Sequence, residues 1–290
     1  MPPAALERRR KGQACSATGV SILVPTLNEE KNLPICLASC AWADQLVVLD
    51  GFSIDRTEEI AREHGAEFVR HRFESYSANK NWALDNVEWR NPWIFILDAD
   101  ERFTRELIDE VQAVVASPSA RDGYFVNRRF IFLGRWIRHC GWYPSWNLRL
   151  FRRGRARYDD RVVHEHMRVE GTVDYLKNDL VHEDQKGLHD FLDRHNRYST
   201  LEATARLAAR EEFHLAQLWN PVQRRRFLRD WIWPCVPAKP LALFVHMYGF
   251  HLGFLDGRAG AVFSLLQAQQ EWHVQLKMAE LRAARGRGSG

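Results

Sequence analysis

Short apolar runs alternate with segments of helical spacing over the first hundred residues. The apolar runs lie at 22–24, 45–49, 66–70 and 93–97 and predict strands. Helices are predicted at 32–39, 57–64, 77–86 and 104–115. In the second of these, Asp55 with Glu58 predicts a capping box and Gly65 a C-terminal stop. Continuous apolar strands separated by helices are typical of a mostly parallel sheet covered on both faces.

The pattern changes after the helix predicted at 104–115. Residues 121–161 hold eleven Arg against three acids, with strand-like pieces at 123–126 and 147–151. A helix with one apolar face is predicted at 188–207. We therefore predict a basic tail at 1–18, a catalytic-type α/β domain at 19–215 and a helical region at 216–290.

The helical region begins with a segment that is rich in tryptophan and basic residues. Trp219, Trp231 and Trp233 are interleaved with five basic residues, namely Arg224, Arg225, Arg226, Arg229 and Lys239. The apolar stretch at 241–255 is too short to span a bilayer, which needs roughly 20 residues. Both features favour an in-plane membrane anchor. The alternative is a helical subdomain that packs on the catalytic domain or on another subunit.

Composition narrows the class of protein. The 290 residues carry a net charge of +4, and no nucleic-acid-binding motif accompanies the basic stretches, so nucleic acid is disfavoured as a partner. Five cysteines without paired CxxC spacing indicate neither a disulfide framework nor a zinc ribbon, and a reducing cytoplasmic setting is expected. Cys36 and Cys40 are expected to be buried small side chains. No apolar segment of signal-peptide type follows the charged start.

Candidate chemistry lies where the predicted strands end. Asp98 and Asp100 follow the run WIFIL, and on extended backbone both carboxylates would face one cation. Carboxylates together with a diphosphate suit Mg²⁺ or Mn²⁺. Asp50 follows QLVVL and could accept a hydrogen bond from a base or a ribose, whereas its alternative is an ordinary turn acid. Neither GxGxxG nor GxxxxGK[ST] occurs, which disfavours a dinucleotide-binding domain and a P-loop.

Four segments together resemble glycosyltransferase family 2, whose members have the GT-A fold. They are SILVPTLNEE (21–30), LVVLDGFSIDRT (46–57), SANKNWAL (77–84) and ILDADERF (96–103). The stretches at 132–154 and 160–165, and FLDGRAG at 254–260, are similar to the bacterial lipopolysaccharide core β-glucosyltransferases and their relatives. The resemblance implies a Rossmann-like, mostly parallel sheet with helices on both faces, followed here by a C-terminal amphipathic helical region.

The resemblance also implies roles for individual residues. The residues implied to bind the nucleotide sugar are Pro25, Thr26, Asn28, Glu29, Asp50, Lys80, Asp98, Gly141 and Arg149. Asp98, Asp100 and His182 are implied metal ligands, and Glu165 is the implied base. Two departures stand out: DGFSID replaces the commoner DSGSTD, and His164-Glu165 stands for the usual Glu-Asp pair.

These roles imply an inverting, metal-dependent transfer of a hexose from a nucleotide sugar. A UDP-sugar is expected, with a lipid-linked or lipopolysaccharide acceptor and a peripheral position on the inner face of the cytoplasmic membrane. Positive charge on the departing diphosphate would come from the metal and from Arg149, Arg152 or Arg153. One alternative is transfer to a polyprenyl phosphate, and another is a non-catalytic nucleotide-binding scaffold at the membrane. A homo-oligomer formed through the C-terminal helices stays open.

Overall fold

The computed structural model describes residues 18–159, 167–211 and 238–287. The described chain divides into two compact units. The first comprises residues up to 131 together with 144–185, and the second comprises 132–143 and the residues from 186 onward. The domain boundary predicted at 215/216 and most of the predicted tail lie outside the described residues, so both stay predictions.

The first unit is built on one large sheet. Its strands are β1 (Val20–Thr26), β2 (Gln45–Asp50), β3 (Glu67–Arg70), β4 (Trp93–Ile96), β5 (Glu101–Arg102), β6 (Gly123–Phe132), β8 (Trp146–Arg152) and β11 (Val173–His182). They lie in the order β3-β2-β1-β4-β8-β6-β11-β5. Strands β1 to β4 are mutually parallel, and β6 is parallel to β11, whereas β8 and β5 run antiparallel to their neighbours. The predicted mostly parallel α/β sheet is confirmed.

Helices cover both faces of this sheet. The helices are α1 (Leu33–Ser39), α2 (Thr57–Glu63), α3 (Tyr76–Asn86) and α4 (Arg105–Ala116). Buried side chains of α1, α2 and α4 pack with Ile22 and Phe95 on one face, while Ala83 of α3 packs with Leu23 and Ile96 on the other. Since successive strand residues point to opposite faces, burial of both faces explains why the strands read as continuous apolar runs.

A bulge in β8 directs one arginine toward the end of β4. Leu150 pairs with Tyr124 of β6, but the next pair along the ladder joins Leu148 to Phe125, so Arg149 is an extra residue. An extra residue in a ladder disturbs the alternation of side chains and re-aims its own. The Arg149 side chain is accordingly buried, at 4% exposure.

Strand β11 brings a distant part of the chain to the end of β4. It pairs antiparallel with β5, so that His182 lies opposite Glu101. A second irregularity falls between Tyr175 and Asp179, where β11 carries extra residues relative to β6. The carboxylate of Glu110 on α4 accepts the backbone N–H groups of Lys177 and Asn178 there, at 2.8 and 2.9 Å.

The start of α2 differs from its prediction. Asp55 does not cap through a capping box with Glu58, because the N-cap residue is Arg56 and no side chain caps it. Asp55 instead accepts the N–H and hydroxyl of Thr57 and the N–H of Glu30. Glu58 pairs with Arg62 and Arg70 on the surface.

The end of α2 follows its prediction. Gly65 has φ +71°, its N–H bonds the Arg62 carbonyl, and the Ala66 N–H reaches the Ala61 carbonyl. This is a Schellman ending, which favours glycine because the residue after the cap is left-handed.

The second unit contains β7 (Arg135–Trp136) and helices α5 (Leu188–Glu211), α6 (Lys239–Val245) and α7 (Gly257–Arg287). A short π-helix (His246–Phe250) and a short 3₁₀-helix (Gly253–Asp256) connect α6 to α7. Ala203 and Leu207 of α5 pack on Val274 and Met278 of α7. None of the helices in the described ranges is long and apolar enough to cross a bilayer.

Buried charges are also paired in the second unit. Lys239 of α6 binds Glu271 of α7, and Arg206 of α5 reaches the same carboxylate at 2.9 Å. Burial lowers the pKa of Lys239 and outweighs the opposing effect of Glu271.

The first unit also contains a two-stranded sheet, in which β9 (Ala156–Tyr158) and β10 (Met167–Val169) run antiparallel. Tyr158 is fixed there by Asn81 of α3, whose amide exchanges two hydrogen bonds with the Tyr158 backbone. This contact holds the Tyr158 ring beside α3, where Lys80 lies.

Candidate active site

The two acids of the Asp98-Ala99-Asp100 segment lie in a turn. Strand β4 ends at Ile96, and the Glu101 N–H closes the turn on the Asp98 carbonyl at 2.9 Å. The expectation of extended backbone over these residues is therefore wrong. In this turn Asp98 and Asp100 have different partners.

Asp98 is surrounded by cations. Its Oδ2 accepts Arg149 Nη2 at 2.5 Å, and its Oδ1 lies 3.5 Å from Lys80 Nζ. Burial by itself would raise the pKa of Asp98, but Arg149 and Lys80 outweigh it and hold the pKa well below the usual range. The Asp98 carboxylate is thus ionised and fixed in position.

Glu101 organises this cluster, and the sequence analysis assigned it no role. Its side chain is fully buried, and its Oε1 accepts Arg149 Nη2 at 2.6 Å and Arg128 Nη1 at 3.4 Å. Its Oε2 accepts the Asp98 N–H at 3.0 Å. A buried carboxylate needs such partners. The one available signal was an acid three residues after Asp98, the spacing at which a side chain closes a turn.

Arg149 pairs with Asp98 and Glu101, and its predicted role toward the diphosphate stays a prediction. Burial would lower the pKa of Arg149, but Asp98 and Glu101 raise it well above the ordinary value, so the guanidinium keeps its charge. Its Nε is buried and makes no hydrogen bond.

Arg152 and Arg153 are not available to a diphosphate at this end of the sheet. Arg152 pairs with Trp93, the first residue of β4, and its guanidinium lies 4.5 Å from the centre of that ring. Arg153 donates to the Trp89 carbonyl. The expectation that either could serve the leaving group is wrong, because both lie at the amino end of β4, about five residues or roughly 16 Å along the chain from Asp98.

Asp100 pairs with His182. Asp100 Oδ2 lies 3.2 Å from His182 Nε2, and both side chains are partly exposed, at 18% and 21%. Burial would lower the pKa of His182, but Asp100 outweighs it and raises the pKa. The Glu183 N–H binds the Asp100 carbonyl at 2.9 Å, which fixes the two strands at this point.

The Asp100–His182 pair suits a divalent cation that shares its coordination with a ligand. A carboxylate and an imidazole are donors that Mn²⁺ accepts, and Mg²⁺ is usually held by one or two carboxylates with phosphate oxygens and water completing the shell. Within the part of the chain that the structure describes, no group of three or more His, Cys, Asp or Glu side chains is arranged to hold a metal ion. The predicted metal contact of Asp98 is not tested by these contacts. Because Arg149 and Lys80 engage the Asp98 carboxylate, we restrict the metal proposal to Asp100 and His182.

The loops after β1 and β2 are joined by hydrogen bonds. The Asn28 N–H donates to Ser53 Oγ at 2.7 Å, and Asn28 Oδ1 accepts the Ile54 N–H at 2.9 Å. The Glu29 N–H donates to Thr57 Oγ1 at 2.9 Å. Asn28 has φ +55°, a left-handed conformation that asparagine tolerates. The predicted nucleotide-binding residues of these loops are therefore held on a rigid edge.

Asp50 is enclosed within this edge. It is fully buried, and its carboxylate accepts the N–H of Ser53 at 2.8 Å and the hydroxyls of Ser53 and Thr26 at 2.5 and 3.2 Å. Pro25 precedes Thr26 at the end of β1. These contacts give Asp50 the turn-forming role that was its alternative, and binding of a base or ribose by Asp50 stays a prediction.

The other predicted residues are placed as follows. Lys80 is buried on α3, with its ammonium 5.2 Å from the centre of the Tyr158 ring. Gly141 belongs to the second unit and has φ +70°, where a Cβ would lie 3.1 Å from the His251 ring. Glu165, the predicted base, and His164 lie outside the described residues.

The cysteines behave as expected. Cys36 and Cys40 are buried on and just after α1, and the Cys40 thiol donates to the Cys36 carbonyl at 3.2 Å. The neighbouring Cys40 and burial raise the pKa of the Cys36 thiol well above its ordinary value. A raised pKa keeps the Cys36 thiol protonated, which makes it a poor nucleophile.

The chain is similar in sequence to known glycosyltransferases. The sequence model of glycosyl transferase family 2 matches residues 21–169, about half of the chain. The lipopolysaccharide core biosynthesis glycosyltransferase LpsC of Rhizobium meliloti (strain 1021) is 27% identical over 259 residues, which cover 86% of this chain and 90% of LpsC. An uncharacterized glycosyltransferase of Rickettsia bellii (strain RML369-C) is 33% identical over 99 residues, 34% of this chain and 33% of that protein.

A solved structure also resembles the chain along most of its length. It is that of S. aureus TarS 1-349 in complex with UDP, which is 15% identical. The match covers 92% of each chain with a TM-score of 0.47.

Proposed function

The chain belongs to glycosyl transferase family 2, and we propose that this glycosyltransferase moves a hexose from a UDP-sugar. The proposed acceptor is a lipopolysaccharide core or another lipid-linked envelope glycan. The transfer inverts the anomeric centre and depends on a divalent metal. The enzyme works peripherally at the inner face of the cytoplasmic membrane.

The observation that carries this proposal is the pairing of Asp100 with His182 beside the cation cluster of Asp98. These groups lie beyond the carboxyl end of β4, and open α/β sheets bind ligands at that edge. An acidic metal-binding pair next to fixed positive charge suits a nucleoside diphosphate, whose negative charge increases as the sugar departs.

Asp100 and His182 are the residues proposed to hold Mg²⁺ or Mn²⁺. When bound, the cation supplies Lewis-acid stabilisation of the departing diphosphate. Arg149 and Lys80 keep a fixed positive charge at Asp98, so that little reorganisation is needed when the leaving group develops charge.

Donor recognition is assigned to the rigid edge formed by the loops after β1 and β2. Pro25, Thr26, Asn28, Glu29 and Asp50 are proposed to define the base and ribose site. Asn28 is the exposed member, and its side chain already closes the loop on Ile54. Gly141 is proposed to lie beside the donor sugar.

Glu165 is proposed as the base. The acceptor hydroxyl attacks the anomeric carbon, the bond from that carbon to the diphosphate oxygen breaks, and the hydroxyl proton passes to the Glu165 carboxylate. One displacement inverts the anomeric carbon, so no enzyme nucleophile is needed. Glu165→Gln is expected to retain donor binding and lose transfer.

The acceptor class rests on the relative LpsC, whose name assigns it to lipopolysaccharide core biosynthesis. Its match extends over 86% of this chain, beyond the family segment at 21–169. A lipid-linked acceptor is the reason for proposing a peripheral membrane position.

The test is nucleotide release from a panel of sugar nucleotides, with Mn²⁺ or Mg²⁺ and then with EDTA. A bacterial membrane lipid extract serves as acceptor, and the wild type is compared with Asp100→Ala. Release that needs the metal, Asp100 and the extract is expected, and it identifies the donor. Release that requires polyprenyl phosphate instead of the glycolipid fraction would show that polyprenyl phosphate is the acceptor. Metal-dependent binding without release across the panel would favour a nucleotide-binding scaffold and contradict transfer.

A further inference from the structure

The second unit exposes a cluster of large apolar side chains around the connection between α6 and α7. Phe250 is 80% exposed, Leu255 49%, Phe254 48% and Leu252 45%, and Leu133 of the 132–143 segment is 59% exposed. We call these five residues the apolar rim. Single exposed apolar side chains are ordinary on a protein surface, but a contiguous set marks an interaction surface.

Contacts hold the two parts of the apolar rim together. Arg135, two residues after Leu133, donates from Nη2 to the Leu255 carbonyl at 3.0 Å. The Cys140 N–H binds the His251 carbonyl at 3.0 Å. The 132–143 segment therefore lies directly against the 251–255 turn, and the rim is one surface.

An aromatic row extends the rim along α6. The rings of Phe244 and Tyr248 stack with centres 5.3 Å apart, and Tyr248 meets Phe254 at 6.3 Å. Leu241 and Val245, one helical turn apart on α6, are also exposed.

Two leucines of the apolar rim have a left-handed backbone conformation, which leucine rarely adopts. Leu133 has φ +50° and Leu252 has φ +55°. The left-handed region costs a residue with a side chain roughly 1–2 kcal/mol relative to the right-handed one, and glycine or asparagine avoids most of that cost. Both side chains are exposed in the described part of the chain, so burial there does not offset the strain. Burial in an apolar surface outside the chain would offset it.

The charges around the rim are positive. Residues 132–143 include Arg135 and Arg138 and no acid, and both arginines are exposed. In residues 238–260 the one acid is Asp256, which is buried and accepts the N–H and ring N–H of His139 at 2.8 Å. Arg258 is exposed beside it. Apolar side chains flanked by exposed arginines, with no exposed acid, complement an anionic surface.

A lipid bilayer fits this combination better than a second copy of the chain. A two-fold interface centred on the rim would bring the arginines of both copies into one interface, where like charges oppose association. An anionic leaflet attracts each nearby arginine with about 1 kcal/mol and accepts apolar side chains below its headgroups.

We propose that the apolar rim inserts into the headgroup–acyl boundary of an anionic bilayer, with Arg135, Arg138 and Arg258 on the lipid phosphates. The proposal rests on the proposed function for its purpose, because a lipid-linked acceptor has to be reached at a membrane. It assigns the membrane contact to described residues of the 132–143 segment and of the α6–α7 connection.

The test is flotation of the full-length chain, without nucleotide or metal, with vesicles of phosphatidylcholine alone or mixed with phosphatidylglycerol. Phe250→Asp/Phe254→Asp is expected to weaken binding to the mixed vesicles at least about ten-fold. Leu276→Asp is the matched control, since Leu276 is 54% exposed on α7 and outside the rim, and it is expected to bind like the wild type. Thermal melts of all variants check folding.

A charge variant separates the two contributions. Arg135→Glu/Arg258→Glu is expected to lose the preference for phosphatidylglycerol while its weaker binding to phosphatidylcholine persists. Wild-type chain that does not float, or floats equally well with both Phe250 and Phe254 replaced, would overturn the proposal. A dimer in solution that Phe250→Asp dissociates would show that the rim binds a second copy instead.

Failure of this proposal is distinguishable from failure of the proposed function. Asp100→Asn is expected to float like the wild type while transfer is lost. Vesicle binding with no transfer to any acceptor would contradict the proposed function and leave the rim intact as a membrane contact. Transfer with no vesicle binding would contradict the rim alone.

Discussion

Asp98 and Asp100 are two residues apart and both partly exposed, yet their carboxylates bind different partners. Asp98 is held by Arg149 and Lys80, and Glu101 binds the same Arg149 guanidinium. Asp100 faces one imidazole. The turn closed at Glu101 separates them.

One short motif therefore supplies two carboxylates with different partners. Arg149 and Lys80 both pair with the Asp98 carboxylate, which holds the two cations in place. The Asp100–His182 pair has donors that a metal ion can share. Paired acids whose surroundings differ in this way divide their tasks, as in other active sites.

The largest expected effect is on activity, from Asp100→Asn. We expect metal-dependent transfer to fall about 100-fold or more, because a neutral amide is a poor metal ligand. The free energy of unfolding should change by no more than about 1 kcal/mol, since the ion pair with His182 is partly exposed. Nucleotide release and chemical denaturation measure the two quantities. A large loss of stability with activity retained would reverse the roles assigned to the two acids.

Arg149→Met tests the cluster of charges around Asp98. Removing the guanidinium leaves Asp98 and Glu101 without their principal cation, and we expect a loss of about 3–5 kcal/mol in the free energy of unfolding. Arg149→Lys keeps the charge and is the matched control, with a smaller loss. Urea denaturation measures both. Equal stability of Arg149→Met and wild type would mean that the cluster does not support the fold.

His182→Gln tests whether His182 holds the metal ion together with Asp100. We expect Mn²⁺ affinity in the presence of UDP to fall by about 10-fold or more, because the imidazole donor is lost. Excess Mn²⁺ should restore transfer by the variant. It would not restore transfer by a variant of a residue that acts only on the acceptor. The measurement is a Mn²⁺ titration of nucleotide release. Lost transfer that no Mn²⁺ concentration restores would count against a ligand role.

Arg128→Met has the smallest expected effect. Arg128 also reaches Glu101, but at 3.4 Å and with a side chain 23% exposed, whereas Arg149 lies at 2.6 Å and is buried. We expect a loss of about 1 kcal/mol or less in the free energy of unfolding. The same urea experiment compares the two arginines directly. A loss as large as that of Arg149→Met would show that Glu101 depends on both.

Much of the fold follows from local pattern. The runs at 22–24, 45–49 and 93–97 fall inside β1, β2 and the β4 region because a strand buried on both faces must be apolar at every position. The glycine that ends α2 was predictable because Gly65 needs a left-handed φ. The capping box at Asp55 was not confirmed, because the loop after β1 supplies competing donors, the N–H of Glu30 among them.

The site was predictable as residue types and less so as geometry. Asp100 and His182 were predicted together from family resemblance, and the ladder between β5 and β11 explains how residues 82 positions apart meet. The bulge at Arg149 depends on the register of β8 against β6, which no local pattern reveals. Glu101 was overlooked because a buried acid next to an apolar strand is visible only once its cations are in place.

Electron paramagnetic resonance of Mn²⁺ bound in the presence of UDP distinguishes the roles proposed for the two acids. It compares the wild type with Asp98→Asn and Asp100→Asn, each checked for folding by circular dichroism. The account predicts that Asp98→Asn keeps the bound Mn²⁺ signal and Asp100→Asn loses it, because Asp100 with His182 supplies the donors. Bound Mn²⁺ that survives in Asp100→Asn, or disappears in a folded Asp98→Asn, would contradict the division of roles between the two acids.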